Sequence, residues 1–314
     1  MRTSTLVFVG VLLSLGVVGV GTVRAEDISG TLTVTKVIFE DSRLVEDVTC
    51  TMTDSPCIDF GAPNIKLRLN GFTITGPASP DSTPSGSLFC NLTSGAPGAD
   101  GIRILNQVNS EILGPGMVQK FRRHGMLIVG TLGVATRAKV KQVTSHHNCF
   151  SGLLTNMMSD STIEEIVSVR NANNSGTAPC GGNCLVNSHD NVIRRSVFGG
   201  NGSVAASNND FGIGLLLGSS SNLVEDNTIT GNTNGILLQA TATGNTIRRN
   251  VVAGNPPGQV SRDYGAAVGF DVKDESIVAG DGTRNTFWRN WCVTYSGPGP
   301  AVCPNLPGPP HGGN

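Results

Sequence analysis

Residues 222–255 read NLVEDNTITGNTNGILLQATATGNTIRRNVVAGN. Asn222, Asn227 and Asn232 return as Asn245, Asn250 and Asn255, each 23 residues on, and Gly231 returns as Gly254. The runs between them, such as GILLQ, NTIRR and NVVAG, are too short for helices and lack a 3.6-residue apolar period. The pattern extends in both directions. Its core, Asn-x-apolar-x-x-Asn, is seen as NLVEDN (222–227), NTIRRN (245–250) and NTFWRN (285–290). NVIRRS (191–196) keeps all but the last asparagine, and STIEEI (161–166) and AKVKQV (138–143) are fainter copies. A second marker is an asparagine at 148, 171, 201, 232 and 255. A third is a glycine opening an apolar run: GIRIL (101–105), GMLIV (125–129), GLLTN (152–156), GIGLLL (212–217) and GILLQ (235–239).

Three short strands per unit, repeated at this period, predict an all-β chain wound as a parallel β-helix with three sheets and coils of about 23 residues. Stacked residues then lie about 4.8 Å apart. Asparagines at one corner can pass side-chain amide hydrogen bonds up the stack, pairing groups that a sharp corner leaves open. A leucine-rich repeat has a compatible period but wants leucines at fixed spacings and usually one asparagine.

The stretch from Asn148 to Asn290 resembles the right-handed parallel β-helix repeat proteins, which include pectate lyases, polygalacturonases, alginate epimerases and NosD-type periplasmic domains. NIKLRLNGFTITGP (64–77) resembles the first coil of secreted members. The resemblance implies a right-handed coil and a substrate cleft along one sheet, walled by the longer loops. The scaffold carries many chemistries and also non-enzymes.

The chain has 314 residues, 14% of them charged, and a formal net charge of -1. No basic block offers itself to nucleic acid. Residues 1–25 read as a signal peptide: Arg2, then LVFVGVLLSLGVVGVG, then Val23-Arg24-Ala25 at a cleavage site. An uncleaved anchor is the alternative, for which the run is slightly short. After cleavage no apolar stretch spans a bilayer, so the expected location is secreted or periplasmic. Residues 26–60 are expected to cap the stack, 61–290 to form the β-helix, and 291–314 to form a C-terminal cap with a Pro/Gly-rich tail. Segment 77–99 reads as a long loop, and shorter insertions at 172–183 and 202–211 leave the stack on one side, just before the Gly-Ile-type strand. The eight cysteines suit disulfides in an oxidising compartment. Sequence proximity suggests Cys50–Cys57, Cys180–Cys184 and Cys292–Cys303, leaving Cys90 with Cys149. Oligomeric state is left open.

Aligned coils bring Lys141-Gln142, Glu164-Glu165, Arg194-Arg195, Glu225-Asp226 and Arg248-Arg249 into one column of alternating sign. Opposite charges on adjacent strands favour correct register, so this column reads as architecture rather than catalysis.

The cleft implied by the resemblance falls on the Gly-Ile-type sheet, because the insertions border it. Its outward residues, among them Arg103, Leu127, Leu154, Asn156, Leu216 and Leu237, are mostly apolar and include no carboxylate. The aspartate set of polygalacturonases, the arginine motif of pectate lyases and the Asp-Pro-His motif of epimerases are missing. Candidates remain at the edges. On one side, His189 and Asp190, with Asp160 one coil below, form a possible Ca²⁺ or proton-transfer set. Turn or ion-pair roles explain the same residues. On the other side, Arg122, Arg123, His124, His146 and His147 form a basic and imidazole cluster suited to a uronate, with Asn156 on the sheet between. Ordinary exposed loop residues are the competing reading. Cys180, Cys184 and His189 have metal-like spacing but no fourth ligand. The functional expectation is a polysaccharide or cell-surface glycan binder, at most lyase- or epimerase-like. The alternatives are a non-catalytic surface or adhesion module and a NosD-like periplasmic accessory protein.

Overall fold

The computed structural model describes residues 25–77, 99–171, 181–202, 211–255, 270–276, 284–297 and 303. The fold is easiest to build from its corners. Ser221 (φ 56°), Asp226 (φ 56°) and Gly231 (φ 67°) each adopt the left-handed conformation one residue before Asn222, Asn227 and Asn232. One such residue turns the chain sharply, and the side chain that follows satisfies the amides exposed by the turn. The asparagines therefore mark three corners, not one.

Each corner carries its own ladder. At the third, Asn148, Asn171, Asn201 and Asn232 donate from Nδ2 to the Oδ1 of the asparagine one coil on, at 2.9, 3.2, 2.9 and 3.0 Å. Those links span 23, 30, 31 and 23 residues, so two coils carry insertions and two keep the basic length. The first corner runs Asn191–Asn222–Asn245–Asn285. The second runs Asn227–Asn250–Asn290. Backbone amides join the same acceptors, as Asn232 N does on Asn255 Oδ1 at 2.9 Å.

The chain is a right-handed parallel β-helix with three faces. The first face is a ten-stranded parallel sheet, running from Lys36–Ile38 through Met126–Val129, Leu153–Asn156, Asn183–Val186, Phe211–Leu216 and Asn234–Leu238 to Tyr295–Ser296. The second and third faces are joined into one 16-stranded sheet. The reason is local: Ser42–Cys50, Glu111–Gln119 and Lys139–His146 run across the second corner as single strands. Strands within residues 26–60 already pair in this stack, Glu26–Leu32 with Ser42–Cys50 and Lys36–Ile38 with Ile58–Phe60.

Inward side chains stack into columns such as Ile163–Ile193–Val224–Ile247. One column breaks the pattern. Asn183 lies between Leu153 and Ile213, fully buried, and neither its amide nitrogen nor its oxygen has a partner among the described residues. An unpaired buried amide costs about 1–3 kcal/mol. Asn183→Leu, close in volume, is therefore expected to raise folding stability by an amount in that range, read as a higher denaturation midpoint. An unchanged or lower midpoint would show that the amide is satisfied in solution.

The charge column behaves as architecture. Glu164 is nearly buried and meets Arg194 at 2.8 Å, Arg195 at 2.7 Å and Lys141 at 3.4 Å. Burial disfavours its charge, but the Arg194 hydrogen bond and the Lys141 charge outweigh it and hold the carboxyl below its usual range. One coil pair higher, Glu225 meets Arg248 and Arg249 at 2.8 and 2.7 Å.

Cys50–Cys57 and Cys292–Cys303 are disulfides with Cα separations of 5.8 and 4.9 Å, as sequence proximity suggested. Cys149 and Cys184 are also disulfide-bonded. Cys90 and Cys180 lie outside the described residues, as does the expected signal peptide up to residue 24. No described helix is long and apolar enough to cross a membrane.

Candidate functional site

The outer side of the first face does not offer the expected cleft across its later coils. Cys184, Phe211, Leu216 and Leu237 collect there into a second apolar cluster with Leu154 and Val186, and the first four are buried. The Phe211 ring lies over Gly214, where a Cβ would come within 2.2 Å of it. Apolar outward residues on neighbouring strands exclude water just as inward ones do. Asn156, at the edge of this cluster, has a buried Oδ1 with no described partner.

The edge candidates separate into three places. His124 is buried at 5% exposure. Its Nδ1 meets Ser151 Oγ at 2.7 Å, its ring leans on Phe150, and its backbone amide donates to buried Asp100. Burial, with the Arg123 charge, pushes its pKa down to about 3. It is part of the wall and cannot meet a ligand. Arg122 and Arg123 are half-buried beside it, and Arg122 Nε lacks a described partner.

His189 and Asp190 form an exposed pair at 2.8 Å on the first corner. Ser159 bridges to His189, which sets Asp160 under Asp190, both in the left-handed conformation. The strand register thus explains these residues as corner formers. Among the described residues no group of three His, Cys, Asp or Glu side chains is arranged to hold a metal.

His146 and His147 lie on the third corner and do come together. His146 ends its strand facing outward. His147 takes the left-handed corner conformation (φ 53°), which keeps two consecutive rings on the same side of the wall. Their Nδ1 atoms are 2.5 Å apart, and His146 Nε2 lies 2.8 Å from Met117 Sδ. Met117 belongs to the neighbouring coil, where it pairs with Thr144. Burial above all, then the charges of His147, Lys120 and Arg170, pushes His146 down to about 4, so the ring is neutral at neutral pH.

These histidines wall an open concavity of about 500 Å³, lined also by Val169, Arg170, Gly199 and Gly200. Strand register sets His146, Val169, Gly199, Thr230 and Ala253 in one outward row. The adjacent corner row is His147, Arg170, Gly200, Gly231 and Gly254, all at positive φ. The third face therefore steps from a basic, imidazole-rich end to a nearly bare floor. A linear reading had the histidines but not Met117, Lys120, Arg170 or the glycine floor. For Arg170, Gly199 and Gly200 the signal was present, one or two residues before Asn171 or Asn201; Met117 and Lys120 carry no such marker, because Phe121 stands where the asparagine would be.

No curated protein matches the chain. Among solved structures, the Dettilon tailspike protein matches with 14% identity and a TM-score of 0.59, covering 84% of this chain and 54% of that one. Tailspike protein 2 of Escherichia coli O157:H7 bacteriophage CAB120 matches with 9% identity and a TM-score of 0.51, covering 83% and 36%. The chain thus spans about half or less of these proteins' length, and the likeness is one of fold. Residues 97–291 match the family described as periplasmic copper-binding protein (NosD). That match takes in every coil that builds the third-face concavity, and the disulfides agree with an extracytoplasmic location. The chain belongs to the NosD family of periplasmic β-helix proteins.

Proposed function

We propose that the protein binds an acidic polysaccharide, or an acidic cell-surface glycan, along its third face. The observation that carries this reading is the concavity itself. The fixed charges acting on His146 there, beside that of His147, are Lys120 and Arg170, both positive, and the floor beyond is Gly199 and Gly200. A sugar carboxylate gains a charge-assisted contact at the basic end. The flat apolar side of a pyranose ring suits Val169 and the bare glycine floor.

The same geometry favours binding over turnover. Proton abstraction needs a base aimed at the substrate. Both ring nitrogens of His146 already face neighbours, and none of the lining residues is a carboxylic acid. Alginate and pectate should be retained in affinity electrophoresis, a neutral glucan should not, and no unsaturated product should accumulate. Losing a charge-assisted contact is worth about 1.5–3 kcal/mol, so Arg170→Ala should weaken retention by about tenfold or more. Gly199→Phe should abolish it by filling the floor. A Cβ at Gly199 meets nothing nearer than 3.5 Å, so that variant should fold. Equal retention of neutral and acidic polymers would sink the proposal.

The family's description names copper, for which neutral imidazole and soft sulfur are suitable donors. His146, His147 and Met117 bring those donor types together, but they do not fit a single ion: His147 meets Nδ1 of His146, and Met117 Sδ meets Nε2 on the opposite edge of the same ring.

A further inference from the structure

We propose that the third face holds a second sugar subsite at its C-terminal end, built from Trp291 and Arg289. One extended acidic chain then spans the face from the Arg170 concavity to this subsite. The inference rests on the glycan reading above and adds to it a direction and a chain length.

Three observations carry it. First, the face between the two ends is uniform. Its second outward row, parallel to the one that begins at His146, runs Thr144, Val167, Val197, Thr228, Val251 and Trp291. Apart from His146, neither row holds an ionisable side chain, and Val197, Thr228, Thr230 and Val251 are exposed. An uncharged strip of this kind offers apolar contact to sugar rings and threonine hydroxyls to their oxygens. Second, the row ends on an aromatic side chain that is held in place. Cys292, the next residue, points inward and is tied to Cys303, so Trp291 faces outward. Its amide donates to Asn250 O at 2.8 Å, and Asn290 before it closes the second-corner ladder. A fixed indole presents a broad apolar face at low entropic cost. Third, the charge column changes character here. After Arg248 and Arg249 the alternation calls for an acidic pair, but the coil carries Trp288 and Arg289. The Arg289 guanidinium lies over the Trp288 ring at 4.3 Å, on the corner that leads into Trp291. A cation oriented in this way is ready to meet a sugar carboxylate.

The two ends are positive and the strip between them is neutral, which suits a polymer carrying regular carboxylates. Five strand steps separate the His146 coil from Trp291, about 24 Å at about 4.8 Å each. One coil step is close to the length of one 1,4-linked pyranose unit, so about six sugars cover the face. The chain crosses it diagonally, from the third corner at Arg170 to the second corner at Arg289.

The test is calorimetry of the full chain with oligogalacturonates of increasing length. Affinity should rise with length and level off at about six units. Trp291→Ala should weaken six-unit binding about tenfold and leave three-unit binding unchanged, whereas Arg170→Ala weakens both. Trp291→Phe should restore most of the loss, which a merely unfolded end would not allow. Trp288→Phe leaves Trp291 as the single tryptophan, and its emission should shift with six-unit but not three-unit chains. Three-unit binding that depends on Arg170, with no gain in length or no effect of Trp291→Ala, overturns the second subsite alone. Absence of binding at every length overturns the glycan reading and the subsite together.

Discussion

Asp271→Ala is expected to lower folding stability by about 4–6 kcal/mol, an effect reserved for loss of a buried polar network. Asp271 is fully buried at the top of the third-corner ladder. Its Oδ1 accepts from Asn255 N and Nδ2 at 3.1 and 3.0 Å, and its Oδ2 accepts from Val293 N and Thr294 N at 2.9 and 3.1 Å. Alanine strands four donors at once, two of them on buried Asn255. The position also has an electrostatic logic. Each ladder amide turns its Oδ1 toward the N-terminal end and donates one N–H toward the C-terminal end, the other going back to a backbone carbonyl, and a carboxyl group receives the last donor. Asp271→Asn keeps one oxygen but must turn its NH₂ group toward other donors, so an intermediate loss is expected. Denaturant midpoints of the three proteins check the order. A loss below about 1 kcal/mol for the alanine variant would mean that water replaces the carboxyl group.

The second large effect concerns acid. His124 is held neutral in the folded chain with a pKa of about 3, by burial first and the Arg123 charge second. In the unfolded chain it titrates near 6.5. As pH falls below that value the unfolded state takes up a proton that the folded state refuses. Stability is therefore lost between pH 6.5 and about 3, by an amount of the order of 4 kcal/mol. Half-buried His146, down to about 4, adds a smaller loss of the same sign. Asp100 opposes both. Burial above all raises its carboxyl to about 6 despite Arg123 and the His124 amide. The folded state thus binds its proton more readily, and stability is gained as pH falls from 6 toward the ordinary carboxylate range. His124→Gln should leave the gain and remove most of the loss, giving better resistance at pH 4.5 than at pH 7. Asp100→Asn should do the reverse. Urea unfolding of both variants at the two pH values decides it; parallel shifts would refute the assignment of either group.

Much of the fold was legible because the scaffold writes itself into each coil. Asn222, Asn227 and Asn232 mark three turns, and Val224 and Ile229 between them are the inward residues. The alternating charge column is likewise visible in a linear alignment, since register alone joins Glu164 to Arg194. The site was less legible. His146 and His147 meet only because of one backbone angle, and Met117 reaches them from a different coil. His124 looked like their partner because it precedes the neighbouring Gly-Ile-type strand on the same edge, yet the chain buries it behind the wall. The first-face cleft failed for a related reason: outward leucines separated by whole coils gather into a second core that no single coil reveals.

The one-way ladders have a final consequence. From Asn222 onward all three corners carry asparagine, and each coil there accepts from the one before it and donates to the next at the same corners, so those joints are chemically alike. A unit such as 222–244 can therefore be duplicated or removed without creating a new kind of seam, and only the end pieces, such as Asp271, are irreplaceable. Length in this protein is a countable variable, and the reach of its third face can be lengthened in steps of one coil.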